Sequence, residues 1–99
     1  MYNIIMKQKD IYEVGIVASK IANENQLTLS QMVILGVIYL NPKISINEIS
    51  SKCFINRTTC SKAIKNLFED GWIAKQKDLS DERVTRYTRT ERELSEQND

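Results

Sequence analysis

A chain of 99 residues, 41% hydrophobic and 27% charged, has room for one domain with one core and shows none of the biases of disordered or fibrous proteins. Its formal net charge of +1 argues, taken alone, weakly against a nucleic-acid partner, and the absence of histidine removes the commonest metal ligand and general base. The longest apolar run, residues 32–40, is far shorter than the roughly 20 residues a membrane span needs, and the N-terminus lacks the basic start and continuous apolar core of a secretion signal, so the expected setting is the cytoplasm, with no membrane contact.

Residues 2–24 are predicted helical. Ile4, Ile11, Val14, Ala18 and Ile21 form one stripe, which Ile5, Tyr12, Ile16 and Val17 widen. A stripe this broad points to burial on two sides: against the domain, and against a second copy through Ile4, Ile5, Ile11 and Tyr12. The plain alternative is a helix lying deep in its own domain. Thr28-Leu29-Ser30-Gln31 is a capping box that opens a second helix running to Leu40, apolar nearly all round and therefore central. Asn41-Pro42 stops it, because the residue before proline avoids helical angles. Ser45-Ile46-Asn47-Glu48 is a second capping box, for a short helix to Cys53 that turns Ile46, Ile49 and Cys53 inward.

Asn56 can cap a fourth helix with two unlike faces. Cys60, Ala63, Ile64 and Leu67 fall on one side at helical spacing, while Arg57, Thr58, Ser61, Lys62 and Lys65 crowd the other without an acid among them. The third and fourth helices, across residues 45–70, have the shape of a helix-turn-helix. Gly71 ends the fourth helix, since glycine accepts the left-handed turn of a stop. Two β-like runs follow, 72–77 and 83–88, divided by a polar Asp78-Leu79-Ser80-Asp81 turn. Trp72 reads as a core plug beneath this hairpin rather than a base-stacking platform. Thr90-Glu91-Arg92-Glu93 offers one more capping box, so residues 90–99 are expected to be a short helix or a tail.

The charge is unevenly placed. Residues 1–51 are neutral, residues 52–89 carry nine cations and five anions, and residues 90–99 carry one cation and four anions. A basic segment of this kind is an electrostatic footprint for nucleic acid, although a solvated Lys/Arg-rich surface gives the same count. Cys53 and Cys60 stand seven apart with no partner ligands, which is no zinc pattern, so no metal or cofactor is expected. Buried free thiols are the default, and a redox switch would need a thiol both exposed and acidic. With no glycine-rich phosphate loop and no convergent carboxylate pair either, the chain does not read as an enzyme.

In their order and spacing these pieces resemble the MarR-type winged-helix family of bacterial transcriptional regulators, over about residues 27–93. The resemblance rests on Leu27-Thr28-x-x-Gln31-x-x-Ile34-Leu35, Ile46-x-Glu48-Ile49, the run Asn56-Arg57-Thr58-Thr59-Cys60-Ser61-Lys62 with Leu67 and Gly71-Trp72-Ile73, Asp81-x-Arg83, and Thr90-Glu91. It departs at Arg89, where the family usually has an apolar residue, and at Glu93, where it usually has glycine. The resemblance implies a mainly α fold with a small β-hairpin, a winged helix-turn-helix, with residues 72–89 as the wing. It also implies C-terminal helices that build a dimer and frame an effector pocket. Only a short stretch remains here for them, which leaves a small-molecule effector open.

The implied function is sequence-specific binding of double-stranded DNA, by a homodimer acting as a repressor. Arg57 suits a bidentate contact to guanine or a phosphate clamp, Thr58 and Ser61 suit base edges, and Thr59, Lys62 and Lys65 suit the backbone. Lys75, Lys77, Arg86 and Arg89 are candidate phosphate contacts of the wing. Asp81 is expected to pair with Arg83 and shape the wing, and in the resembled family that arginine also reaches the minor groove. A partition or replication-control protein on centromere-like repeats, and a winged helix that binds only protein, are the two other readings.

Overall fold

The computed structural model describes residues 7–95. Six elements follow in chain order: α1 (Gln8–Glu24), α2 (Leu29–Leu40), α3 (Ile46–Cys53), α4 (Arg57–Glu69), β1 (Ile73–Lys77) and β2 (Thr85–Arg89). Both expected capping boxes form. The Thr28 hydroxyl accepts from the Gln31 amide while the Gln31 side chain accepts from the Thr28 amide, and Ser45 and Glu48 exchange the same pair of bonds.

α2 is the central element. Ile34 and Ile38 are fully buried, and around them pack Ile49 of α3, Cys60 and Leu67 of α4, and Trp72 and Ile73 at the start of the hairpin. α1 is the peripheral one. Of its side chains only Ala22 is buried, whereas Ile11, Tyr12, Val14, Ile16 and Val17 are each more than half exposed. A first helix lying deep in its own domain is therefore excluded. Ile4 and Ile5, expected on the same stripe, lie outside the described residues.

β1 and β2 pair antiparallel, with Ile73 opposite Arg89 and Lys77 opposite Thr85. The loop before α3 adds a short third edge, since the Tyr87 amide donates to the Ile44 carbonyl at 2.9 Å. The strands begin one or two residues later than the sequence pattern suggests. Trp72 closes the end of α4 by donating its amide to Leu67 O, and residues 81–84 are held in the turn.

The capping box expected at Thr90 does not form. The Thr90 hydroxyl donates instead to the Gly71 carbonyl at 2.7 Å and accepts from the Arg92 amide, and Arg92 stacks on Trp72 with its guanidinium 3.9 Å from the ring centre. Residues 90–95 thus run as an extended tail against the base of the hairpin, and residues 96–99 lie outside the described residues.

Candidate nucleic-acid interface

The turn between α3 and α4 is built by Phe54, whose backbone takes the left-handed conformation (φ 56°), and by the Ile55 carbonyl. That carbonyl accepts from the Ser50 hydroxyl at 2.7 Å and from the Cys60 thiol at 3.6 Å, so both helices are tied to one oxygen. Asn56 then caps α4 through its side chain, which accepts from the Thr59 amide at 2.8 Å. These bonds fix the angle at which α4 leaves α3.

α4 presents two faces. Cys60, Ala63, Ile64 and Leu67 are buried against α2 and α3. Arg57, Thr58, Ser61, Lys62 and Lys65 are exposed and span an arc of about 140° at 100° per residue. Thr59 lies between the faces, half-buried. Among the described residues no carboxylate lies within ion-pair distance of Arg57, Lys62 or Lys65.

The wing stands beside this helix. A groove of about 380 Å³ runs between them, lined by Ser61, Lys65, Phe68 and Glu69 of α4, Lys75 of β1 and Tyr87 of β2. Lys75 crosses it, its Nζ 4.3 Å above the Phe68 ring. Lys77 reaches toward the Thr85 hydroxyl at 3.5 Å on the paired strand. Ser61 and Lys65 of α4 are therefore brought together with Lys75 of β1.

The hairpin turn is rigidly pinned. Asp78 Oδ2 accepts from the Ser80 and Asp81 amides at 2.9 and 3.0 Å, and the Asp78 amide donates to the Val84 carbonyl. Asp81 holds Arg83 with two side-chain bonds, 3.0 Å from Nε and 3.1 Å from Nη2, and also accepts from its amide. Arg83 keeps 90% of its side chain exposed in this grip. The hydrogen bonds from Arg83 hold the Asp81 carboxyl below its ordinary range. Leu79, at the apex, is wholly exposed, as Phe54 is in the turn before α4.

Two of the expected phosphate contacts, Arg86 and Arg89, have partners within the chain. Arg86 donates to Asp78 and Glu48, and Arg89 lies over the Tyr39 ring, 4.3 Å from its centre. Arg89 lines a separate groove of about 500 Å³ with Leu35, Tyr39, Trp72, Arg92 and Leu94. Neither engagement is signalled by local sequence, because Glu48 and Tyr39 are far from their partners along the chain. The thiols are also clear: Cys60 is fully buried, and burial pushes both Cys53 and Cys60 up from the ordinary thiol range. That is the opposite of what a peroxide-sensing thiolate requires.

The comparisons with known proteins bear on this arrangement. A family model described as transcriptional regulator SarA/Rot matches residues 17–99. No curated protein sequence matches the chain. Among solved structures, the transcriptional regulator SlyA is 31% identical over 85% of this chain and 64% of its own, with a TM-score of 0.65. A MarR transcriptional regulator from Methanosarcina mazei is 26% identical over 84% of this chain and 60% of its own, with a TM-score of 0.70. MepR of S. aureus, solved bound to an oligodeoxyribonucleotide, shares the fold at 21% identity over 85% of this chain and 62% of its own, with a TM-score of 0.75. The chain thus spans about three fifths of the length of these structures. With four helices and a two-stranded wing among the described residues and a matched family model over most of its length, the chain belongs to the SarA/Rot family of transcriptional regulators and has the MarR-type winged-helix fold.

Proposed function

We propose that this chain binds double-stranded DNA with α4 in the major groove and the wing along the flanking backbone, and that it represses transcription by occupying an operator. The observation that carries the proposal is the exposed arc of Arg57, Thr58, Ser61, Lys62 and Lys65, whose cations have no carboxylate within ion-pair distance among the described residues, continued across the groove by Lys75. No packing requirement of the free protein calls for such a cluster. A fold relative seen on an oligodeoxyribonucleotide supports the same reading.

Arg57 and Thr58, in the first turn of α4, are the base-reading candidates, with Ser61 one turn on. Thr59, Lys62, Lys65, Lys75 and Lys77 serve the phosphates. Arg83, oriented by Asp81, serves the backbone or the minor groove. The working unit is a homodimer in the cytoplasm, formed through the exposed apolar side chains of α1, Ile11 and Tyr12 among them.

Binding-site selection from random duplexes, followed by a salt titration, tests this. A palindrome with half-sites about one helical turn apart is expected. If about six cations per subunit meet phosphates, log affinity against log salt should fall with a slope of about −5 per subunit. Arg57→Ala should lower affinity about tenfold or more and relax preference at one base position, while Lys62→Ala should reduce the slope by about one. Selection of direct repeats would move the reading to a partition role. No enrichment, with both variants harmless, would leave a protein-binding module.

A further inference from the structure

Arg86 lies on the same hairpin as Arg83, three residues away, yet its side chain is only 30% exposed against 90% for Arg83. Its Nε donates to Asp78 Oδ1 at 3.1 Å, where the hairpin turn begins. Its Nη1 donates to Glu48 Oε1 at 3.0 Å, in the first turn of α3, and lies 3.4 Å from the Lys43 carbonyl in the loop before that helix. One planar cation therefore joins the wing turn, the helix-turn-helix and the loop between α2 and α3. A lysine has no fork with which to do this.

Both carboxylates are fixed independently of Arg86. Glu48 is held by the Ser45 amide and hydroxyl as part of the α3 capping box, at 3.3 and 2.9 Å. Asp78 is held by the Ser80 and Asp81 amides. An ion pair between anchored partners loses less side-chain freedom than an ordinary surface pair does. The base of the hairpin is secured by buried Trp72 and Ile73 and by the bond from Tyr87 to Ile44. Arg86 is the next tie toward the tip.

The geometry points to Arg86 as a positioning residue that sets the wing against the helix-turn-helix and neutralises two carboxylates that would otherwise repel phosphate. This inference rests on the DNA-binding reading above. Without the tie, the turn that carries Asp81 and Arg83 pivots about the hairpin base, and the wing meets the duplex in many orientations instead of one.

Three variants test it: Arg86→Ala, Arg86→Lys, and the double change Glu48→Gln with Asp78→Asn. Glutamine retains the capping box at position 48, and asparagine retains an acceptor for the turn amides at position 78. Two readouts are needed: amide hydrogen exchange of the free protein, and affinity for the selected duplex across a salt range.

For Arg86→Ala and for the double variant, exchange at the Asp78 and Val84 amides should quicken about tenfold with α4 unchanged, and affinity should fall about tenfold. Arg86→Lys should recover part of that affinity. A direct phosphate contact predicts the reverse for the double variant: removing two acids strengthens binding, wing exchange stays put, and Arg86→Ala lowers the salt slope by about one alone. That set overturns the inference, as does faster wing exchange with unchanged affinity. A wild-type protein that binds no duplex would sink the DNA-binding reading instead, while exchange would still report whether Arg86 holds the wing.

Discussion

Asp81 and Asp78 show how one turn assigns its two arginines to different work. Asp81 grips Arg83 locally and leaves it in solvent, whereas Asp78 turns Arg86 inward toward Glu48. The same bonds make the wing sensitive to acid. The hydrogen bond from Arg86 is the largest influence lowering Asp78, the bond from Arg83 lowers Asp81, and the Ser45 hydroxyl, with Arg86 adding to it, lowers Glu48. A carboxyl held below its unfolded value releases a proton more readily when folded. Its contribution is complete above the unfolded range near pH 4 and disappears as pH falls through the lower folded value. The urea midpoint should therefore drop on acidification from about pH 5 to about pH 3, and Asp78→Asn should make that drop shallower. An unaltered pH profile in the variant would show that the Asp78–Arg86 bond makes no contribution in solution. All three carboxylates are near the surface, so the effect is a modest slope and not an unfolding switch.

Elements are joined here by backbone devices of unequal legibility. The end of α4 is closed by the Gly71 amide donating to Phe68 O at 3.1 Å and the Trp72 amide donating to Leu67 O at 2.9 Å, with Gly71 at φ 79°. A Cβ at position 71 would meet nothing within 4 Å, so Gly71→Ala is strained by conformation alone. It should destabilise by about 1 kcal/mol, read in urea denaturation, and an unchanged midpoint would refute the account. The same closure ends α1, where Gln26 takes φ 60° and Leu27 donates to Ala22 O, and nothing in the sequence marks it because glutamine is not the usual residue there. The boxes at Thr28 and Ser45 and the cap at Asn56 are legible because donor and acceptor lie three residues apart. Thr90 carries the same local pattern without the same result, since the Gly71 carbonyl captures its hydroxyl and the Trp72 ring captures Arg92. In the candidate site, the two faces of α4 follow from its periodicity. The assignment of Arg86 does not, because Glu48 stands 38 residues away.

Across the molecule as a whole, the described residues leave apolar side chains exposed along α1. Ile11, Tyr12, Val14, Ile16 and Val17 of α1 are 51–69% exposed, and Val33, Tyr39 and Leu40 extend the apolar character onto α2. Single exposed hydrophobics are ordinary, but five of them between residues 11 and 17 of one helix suit an interface. A winged helix reads only a few base pairs, so the proposed function also calls for two reading heads held at a fixed spacing. The exposed side chains of α1 therefore support the proposed second copy along that helix. Ile16 is the most exposed apolar side chain of α1 at 69%, so an acid there meets solvent in the monomer and the apolar partner only in the dimer. Ile16→Asp should convert a dimer into a monomer in sedimentation while leaving the melting of the domain and its affinity for a single half-site close to those of the parent. Affinity for the full palindrome should fall about a hundredfold, because the second half-site is then bound from bulk solution and not at the high local concentration the dimer provides. A variant that stays dimeric, or a monomeric one that holds the palindrome as tightly as the parent, would place the contact elsewhere on the chain.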